Sequence, residues 1–169
     1  GVRVYELESG IPVLIKHRAN APIAHIGVYA ASGSAHEPRA RAGISALGAR
    51  TASRATNSRT SLQIAEESEL LGGSIGASVG SETFGWSFSV PAANLQPALA
   101  LLGDVIQHAT LPDDALETER SAMLTDVARL RDDMYRYPMR LATEATYDGH
   151  PYSIPAGGTE ESLRSLAFS

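Results

Sequence analysis

The chain contains no cysteine. Disulfides, thiolate metal sites and cysteine nucleophiles are therefore excluded, and the compartment stays open between the cytoplasm and a bacterial periplasm, where many proteins do without the residue. Lysine is almost missing too, since Lys16 stands alone, the arginines are scattered and the formal net charge is -5. A nucleic-acid surface needs clustered cations facing phosphate, so that class of partner is excluded. No apolar run reaches the length that spans a bilayer. Gly1 opens directly in strand-like sequence, so any signal peptide is expected to lie outside these residues.

What is present describes a globular protein. The hydrophobic fraction is 43% and the charged fraction 20% over 169 residues, enough chain for one domain with a real core and too little for two. Val2, Val4 and Leu7, then Val13 and Ile15, then Ile23, Ile26 and Val28 alternate with polar residues. With turns at "ESG" and "RANAP", this period of two predicts a three-stranded antiparallel meander. The pattern then becomes helical from Ala42 to about Ala55, and again after Ser58, Thr60 or Ser61, any of which can cap, up to a stop at Gly72-Gly73. "SIGASVGSETFGWSFSV" returns to period two, with Phe84, Trp86 and Phe88 on one face. A helix bearing Leu95, Ala98, Leu99, Leu102 and Ile106 is predicted to cover that face. A long helix opens on acidic residues at "LPDDALETER", carries Leu116, Met123, Val127 and Leu130, and reaches about Tyr135; Pro138 is expected to interrupt it, and Thr159 to cap a short last helix. This order predicts an α+β domain, an antiparallel sheet covered by helices on one face.

Three stretches invite chemistry. The histidines His17, His25, His36, His108 and His150 include no pair at helical metal spacing, so a zinc site built by this chain alone is not expected. His36 and Glu37, before a proline, read as a solvated turn, and His150, before Pro151, as a donor that anchors its loop. "GGSIGASVG" has the glycines of a phosphate loop, but it follows a helix and opens a strand, the reverse of a nucleotide fingerprint. Its small residues suit an exposed sheet edge that accepts an added strand. "LETERSAMLTDVARLRDD" mixes acidic and basic residues as a wetted helix face does.

The helix that begins "AGISALGART" is unusual, because Ser45, Gly48 and Ala49 share one face and offer almost no side chain. Together with "ESGIPVLIKHRANAPIAHIGVYAASGSAHEP", "ELLGGSIGASVGSETFGWSFSV", "LETERSAMLTDV" and "GHPYSIPAGGTEESLRSL", it resembles the pitrilysin and insulinase type zinc peptidases along essentially the whole chain. Among them it resembles the processing-peptidase subunits of mitochondria, the core proteins of respiratory complex III and the two-subunit bacterial peptidases. In active members this helix carries His-x-x-Glu-His, whose histidines bind zinc and whose glutamate activates water. The resemblance puts Ser45 and Ala49 at the histidine positions and Gly48 at the glutamate. The family's third ligand falls on Asp126, and a further acidic position near the active site on Glu119.

The resemblance thus implies a stripped metal site in a conserved frame, with no catalytic residue and no metal in this chain. Gly76, Ala77, Ser78 and Val79 match the edge at which relatives dock extended substrate. The implied protein is the N-terminal domain, residues 1–169 and slightly short of complete, of a subunit with a similar C-terminal domain. Its expected partner is an active His-x-x-Glu-His subunit carrying the zinc, in a heterodimer, or else a second copy of itself; its expected ligand is extended peptide. Two alternatives stand beside this one. The chain could be an assembly scaffold like the core proteins, or an active peptidase whose ligands have moved, which requires two of the five histidines to converge with a carboxylate.

Overall fold

A computed structural model of the chain describes residues 1–167, so the last two residues of the expected domain, Phe168 and Ser169, lie outside the described residues. Strands β1 (Val2–Glu6) and β2 (Pro12–Lys16) pair antiparallel with Val4 opposite Leu14. The turn between them closes where Gly10, at φ +80°, donates its N–H to Leu7 C=O at 2.8 Å. β3 (Ile23–Ala30) does not continue this hairpin, contrary to the meander expected from alternation. It pairs instead with β5 (Phe84–Pro91), which also pairs with β4 (Ile75–Val79), giving the order β3-β5-β4. Burial outweighs proximity along the chain: Ile26 lies opposite Phe88 and Ala24 opposite Val90, the strand residues that form the centre of the core.

Among the described residues six α-helices follow their sequence signals with local differences. α1 spans Ile44–Ala52 and α2 Ser61–Leu70. Of the three possible caps for α2, Thr60 is used, in a box in which its side chain accepts from Gln63 N–H and Gln63 reaches back to Thr60 N–H. α3 spans Leu95–His108 and α4 Asp113–Leu130, with Asp113 and Asp114 in its first turn. α5 spans Arg136–Thr146 and α6 Glu160–Ser165, the latter capped by Thr159 as expected.

Two expectations are corrected here. α4 stops at Leu130, and α5 begins before Pro138 rather than after it. The break is made by Asp133, whose carboxylate accepts from the N–H groups of Tyr135 and Arg136 at 3.0 and 2.7 Å. Pro138 falls in the first turn of α5, where a helix has no partner for its N–H. α3 is also turned from its expected face: Ala98, Leu101, Leu102 and Val105 are buried, while Leu95 and Leu99 are exposed.

Among the described residues two apolar clusters hold the domain. Phe88 and Val90 of the sheet pack under Ala98, Leu101 and Leu102 of α3. On the other side of α1, Ala46 and Leu47 meet Leu116 and Met123 of α4 and Leu163 and Leu166 at the end of the chain. α1 therefore lies between sheet and α4, and its orientation fixes the candidate site. Among the described residues no helix is long and apolar enough to cross a membrane.

Candidate functional site around helix α1

The start of α1 is set by a residue that the sequence placed in solvent. Glu37 is buried, and its carboxylate accepts from Gly43 N–H at 2.7 Å and Ser45 N–H at 2.9 Å. These are donors a helix N-terminus leaves unpaired, and the backbone dipole favours an anion there. The expectation of a solvated turn fails because two orphan amides outbid water for the carboxylate. Gly43 itself sits at φ +89° against Gly158, where a Cβ would come within 2.8 Å of backbone. Farther along, Ala49 C=O accepts from Trp86 Nε1 at 2.8 Å, fastening α1 to β5.

Ser45 and Gly48 are half-buried on this helix and Ala49 is buried. None of the three presents an imidazole or carboxylate. One residue past them, Arg50 turns toward α4. Its Nε donates to Glu119 Oε2 at 2.7 Å and its Nη1 to Asp126 Oδ2 at 3.2 Å. One turn later Arg54 donates from Nε to Glu119 Oε1 at 2.6 Å, and its Nη2 reaches the same oxygen. Glu119 is only 2% exposed, whereas the Asp126 side chain is 62% exposed.

The two acidic positions singled out by sequence are thus brought together, but around guanidinium groups. Sequence reasoning missed Arg50 and Arg54. The signal was present, since Arg50 on α1 and Arg54 just past its end are four apart and can face carboxylates two turns apart on α4. A buried carboxylate needs such partners, because an unpaired ion in low dielectric is expensive.

The histidines do not gather. His25 Nδ1 lies 2.8 Å from Ser89 Oγ on the open sheet face, and His108 Nδ1 lies 3.0 Å from Asp104 Oδ1. His36 Nδ1 accepts from Gly33 N–H, and His150 Nδ1 accepts from Tyr152 N–H. His150 does anchor its loop, as an acceptor rather than the expected donor. Among the described residues no three His, Cys, Asp or Glu side chains converge as a metal-binding group.

Among the described residues β4 is an edge strand, with β5 on one side only. Gly80 N–H donates to Thr83 C=O at 2.8 Å across the hairpin turn. Antiparallel pairing alternates from there, so the backbone N–H and C=O groups of Ile75, Ala77 and Val79 face away from β5, toward the open edge. Their side chains are half-buried on the helix side, while Gly76 and Ser78 are exposed on the other face. Beside this edge a cleft of about 340 Å³ runs between the ends of α1 and α2, with Arg50, Arg54 and Glu119 in its wall and Ile75 and Ala77 at its border.

A model of the insulinase family, peptidase family M16, matches residues 12–160. The chain is 26% identical over 165 residues to the uncharacterized zinc protease YmxG of Bacillus subtilis, covering 98% of this chain and 40% of that protein. It is 24% identical over 169 residues to mitochondrial cytochrome b-c1 complex subunit 1 of Bos taurus, covering 98% and 34%. The fold is shared with a crystal structure of a peptidase M16 inactive domain from Pseudomonas fluorescens, at a TM-score of 0.86 and 21% identity over 98% of this chain and 40% of that one. The chain spans about two fifths of the length of such relatives.

Proposed function

The chain belongs to the insulinase family of peptidases, family M16, and within it we propose the role of a non-catalytic subunit that assists a zinc-bearing partner. The observation that carries this reading is the Arg50 guanidinium bonded to both Glu119 and Asp126.

A zinc ion does not fit these residues. Protein zinc takes imidazole, thiolate or carboxylate in a tetrahedral set. α1 offers the hydroxyl of Ser45 and the methyl of Ala49, and Gly48 has no side chain to act as a base. The carboxylates that remain are already neutralised by a fixed cation, which repels a second one. No hydrolytic step is therefore assigned to this chain, and the zinc of the assembly is assigned to the partner.

The groups that remain suit binding and support. The β4 edge, Gly76, Ala77, Ser78 and Val79, offers unpaired backbone groups to an extended peptide, which would add as a further strand. The exposed positions Gly76 and Ser78 are small, and a Cβ on Gly76 would meet nothing within 4 Å, so a second backbone can come close. The chain then walls a peptide-holding chamber and completes the site of a subunit with an intact His-x-x-Glu-His motif. Residues 1–169 form its N-terminal domain, with a similar domain following in the whole protein.

The test is reconstitution. The full-length protein alone is expected to cleave no peptide, and mixing it with a His-x-x-Glu-His homologue from the same genome to raise that homologue's activity. Cleavage by this protein alone, sensitive to a chelator, overturns the reading. A second reading, an assembly scaffold, is favoured by the likeness to cytochrome b-c1 complex subunit 1. Stable association with the homologue and no change in its activity would select it.

A further inference from the structure

We infer that the cleft beside β4 takes a carboxylate carried by an extended peptide lying on that edge, so that peptides with an acidic residue at one position are preferred. The inference rests on strand addition at β4 and adds the chemistry of the side chain that enters the domain there.

The cleft wall has more donors than acceptors. A guanidinium carries five N–H groups, and Arg50 uses those on Nε and Nη1 while Arg54 uses those on Nε and Nη2. Arg50 Nη2 and Arg54 Nη1 donate to nothing among the described residues. Both side chains keep solvent contact, at 35% and 49% exposure. Both oxygens of Glu119 are already taken by these arginines, and Asp126 lies outside the cleft. Glu69, the other carboxylate in the wall, is exposed and free to turn to water.

A second, independent feature points the same way. Ser68 in the cleft wall is 3% exposed, and its hydroxyl has no hydrogen-bond partner among the described residues. A buried hydroxyl without a partner is costly, and such groups in native folds are few. Two free guanidinium edges and a spare hydroxyl call for an acceptor-rich group, and a carboxylate is the one that Arg binds most strongly among peptide side chains. Ile75 and Ala77 place the cleft directly beside the backbone groups that would hold the peptide.

The experiment measures binding of short fluorescent peptides, acetylated and amidated at their ends, to the full-length protein at low salt. The series carries Glu, Gln or Lys at one central position of a Val/Thr/Ser strand, with the Gln peptide also made with a free C-terminal carboxylate. The Glu peptide is expected to bind about tenfold tighter than the Gln peptide, as charge-assisted pairing implies, and the Lys peptide more weakly than either. A gain with the free C-terminus alone would show that the carboxylate enters from a chain end rather than a side chain, which still supports the carboxylate site. Ser68→Ala is expected to lower the Glu preference several-fold, and an unchanged Glu preference would remove the hydroxyl from the site. Equal binding of the Glu peptide and of both Gln peptides, amidated and free-ended, overturns the carboxylate inference and leaves strand addition standing; no binding of any peptide overturns both.

Discussion

Arg50 Nε lies 2.7 Å from Glu119 Oε2, and that carboxylate is 2% exposed. On the proposed reading, the place beside helix α1 that a metal ion would take is filled by this chain's own cation, covalently part of the helix. Removing it by Arg50→Ala leaves Glu119 with Arg54 alone. Breaking a buried pair costs about 3–5 kcal/mol when the charge loses every partner, so with one arginine kept we expect a loss of about 2 kcal/mol. Urea unfolding would read it as a lower midpoint at unchanged slope.

The Glu37 cap makes a second, separable contribution. Glu37→Ala orphans two amides at the start of α1 and is expected to cost about 2 kcal/mol, at the upper end for helix caps. Glu37→Gln keeps one acceptor oxygen and should cost less. An equal, negligible effect of both would contradict the assigned role.

Acid should loosen the contact between α3 and the segment leading into α2. Burial raises the Asp104 carboxyl pKa, but hydrogen bonds from Thr56, Arg59 and His108 outweigh it and hold the group below its ordinary value near 3.8. A carboxyl depressed in the fold contributes stability that is present above the unfolded pKa and is lost as pH falls through the folded one. The stability gap between the natural protein and Asp104→Asn is therefore expected to be full at pH 7 and to close below about pH 4. Urea midpoints across that range measure it.

The edge geometry of β4 can be probed by proline. Ala77 N–H faces away from β5, so Ala77→Pro removes no ladder bond and should fold with little loss. The same change at Ser78, whose N–H pairs toward β5, should be strongly destabilising. Thermal unfolding of the two variants compares them directly.

Gly73 marks the entry to that edge. A Cβ there would lie 2.1 Å from Ser89 C=O, a backbone atom that cannot step aside. Gly73→Ala is expected to cost about 1–3 kcal/mol, the range for overpacking, and to disturb the cleft border.

Much of this was legible in the sequence because it is local. The alternation of β4 and β5, the cap at Thr159 and the stop at Gly72 depend on residues within a turn of one another. What failed depended on partners distant in the chain. β3 left the predicted meander for β5, since only β5 carries Phe88 and Val90 into the core. Glu37 read as solvated because its acceptors' donors, Gly43 and Ser45 N–H, are orphaned only once α1 exists. Leu95 and Leu99 fit a helical stripe as well as Leu101 and Val105 do, and the sheet decides between them. The acidic positions Glu119 and Asp126 were found by likeness to a metal site, yet the residues that explain their pairing, Arg50 and Arg54, were passed over as scattered charge.

The central claim, a guanidinium in place of a metal, is tested most directly by equilibrating the purified full-length protein with zinc at neutral pH, dialysing it exhaustively and counting bound metal by atomic emission. No retained zinc is the expected result, with a His-x-x-Glu-His homologue retaining one per chain as the control. One zinc held per chain, lost on Asp126→Ala, would contradict the claim.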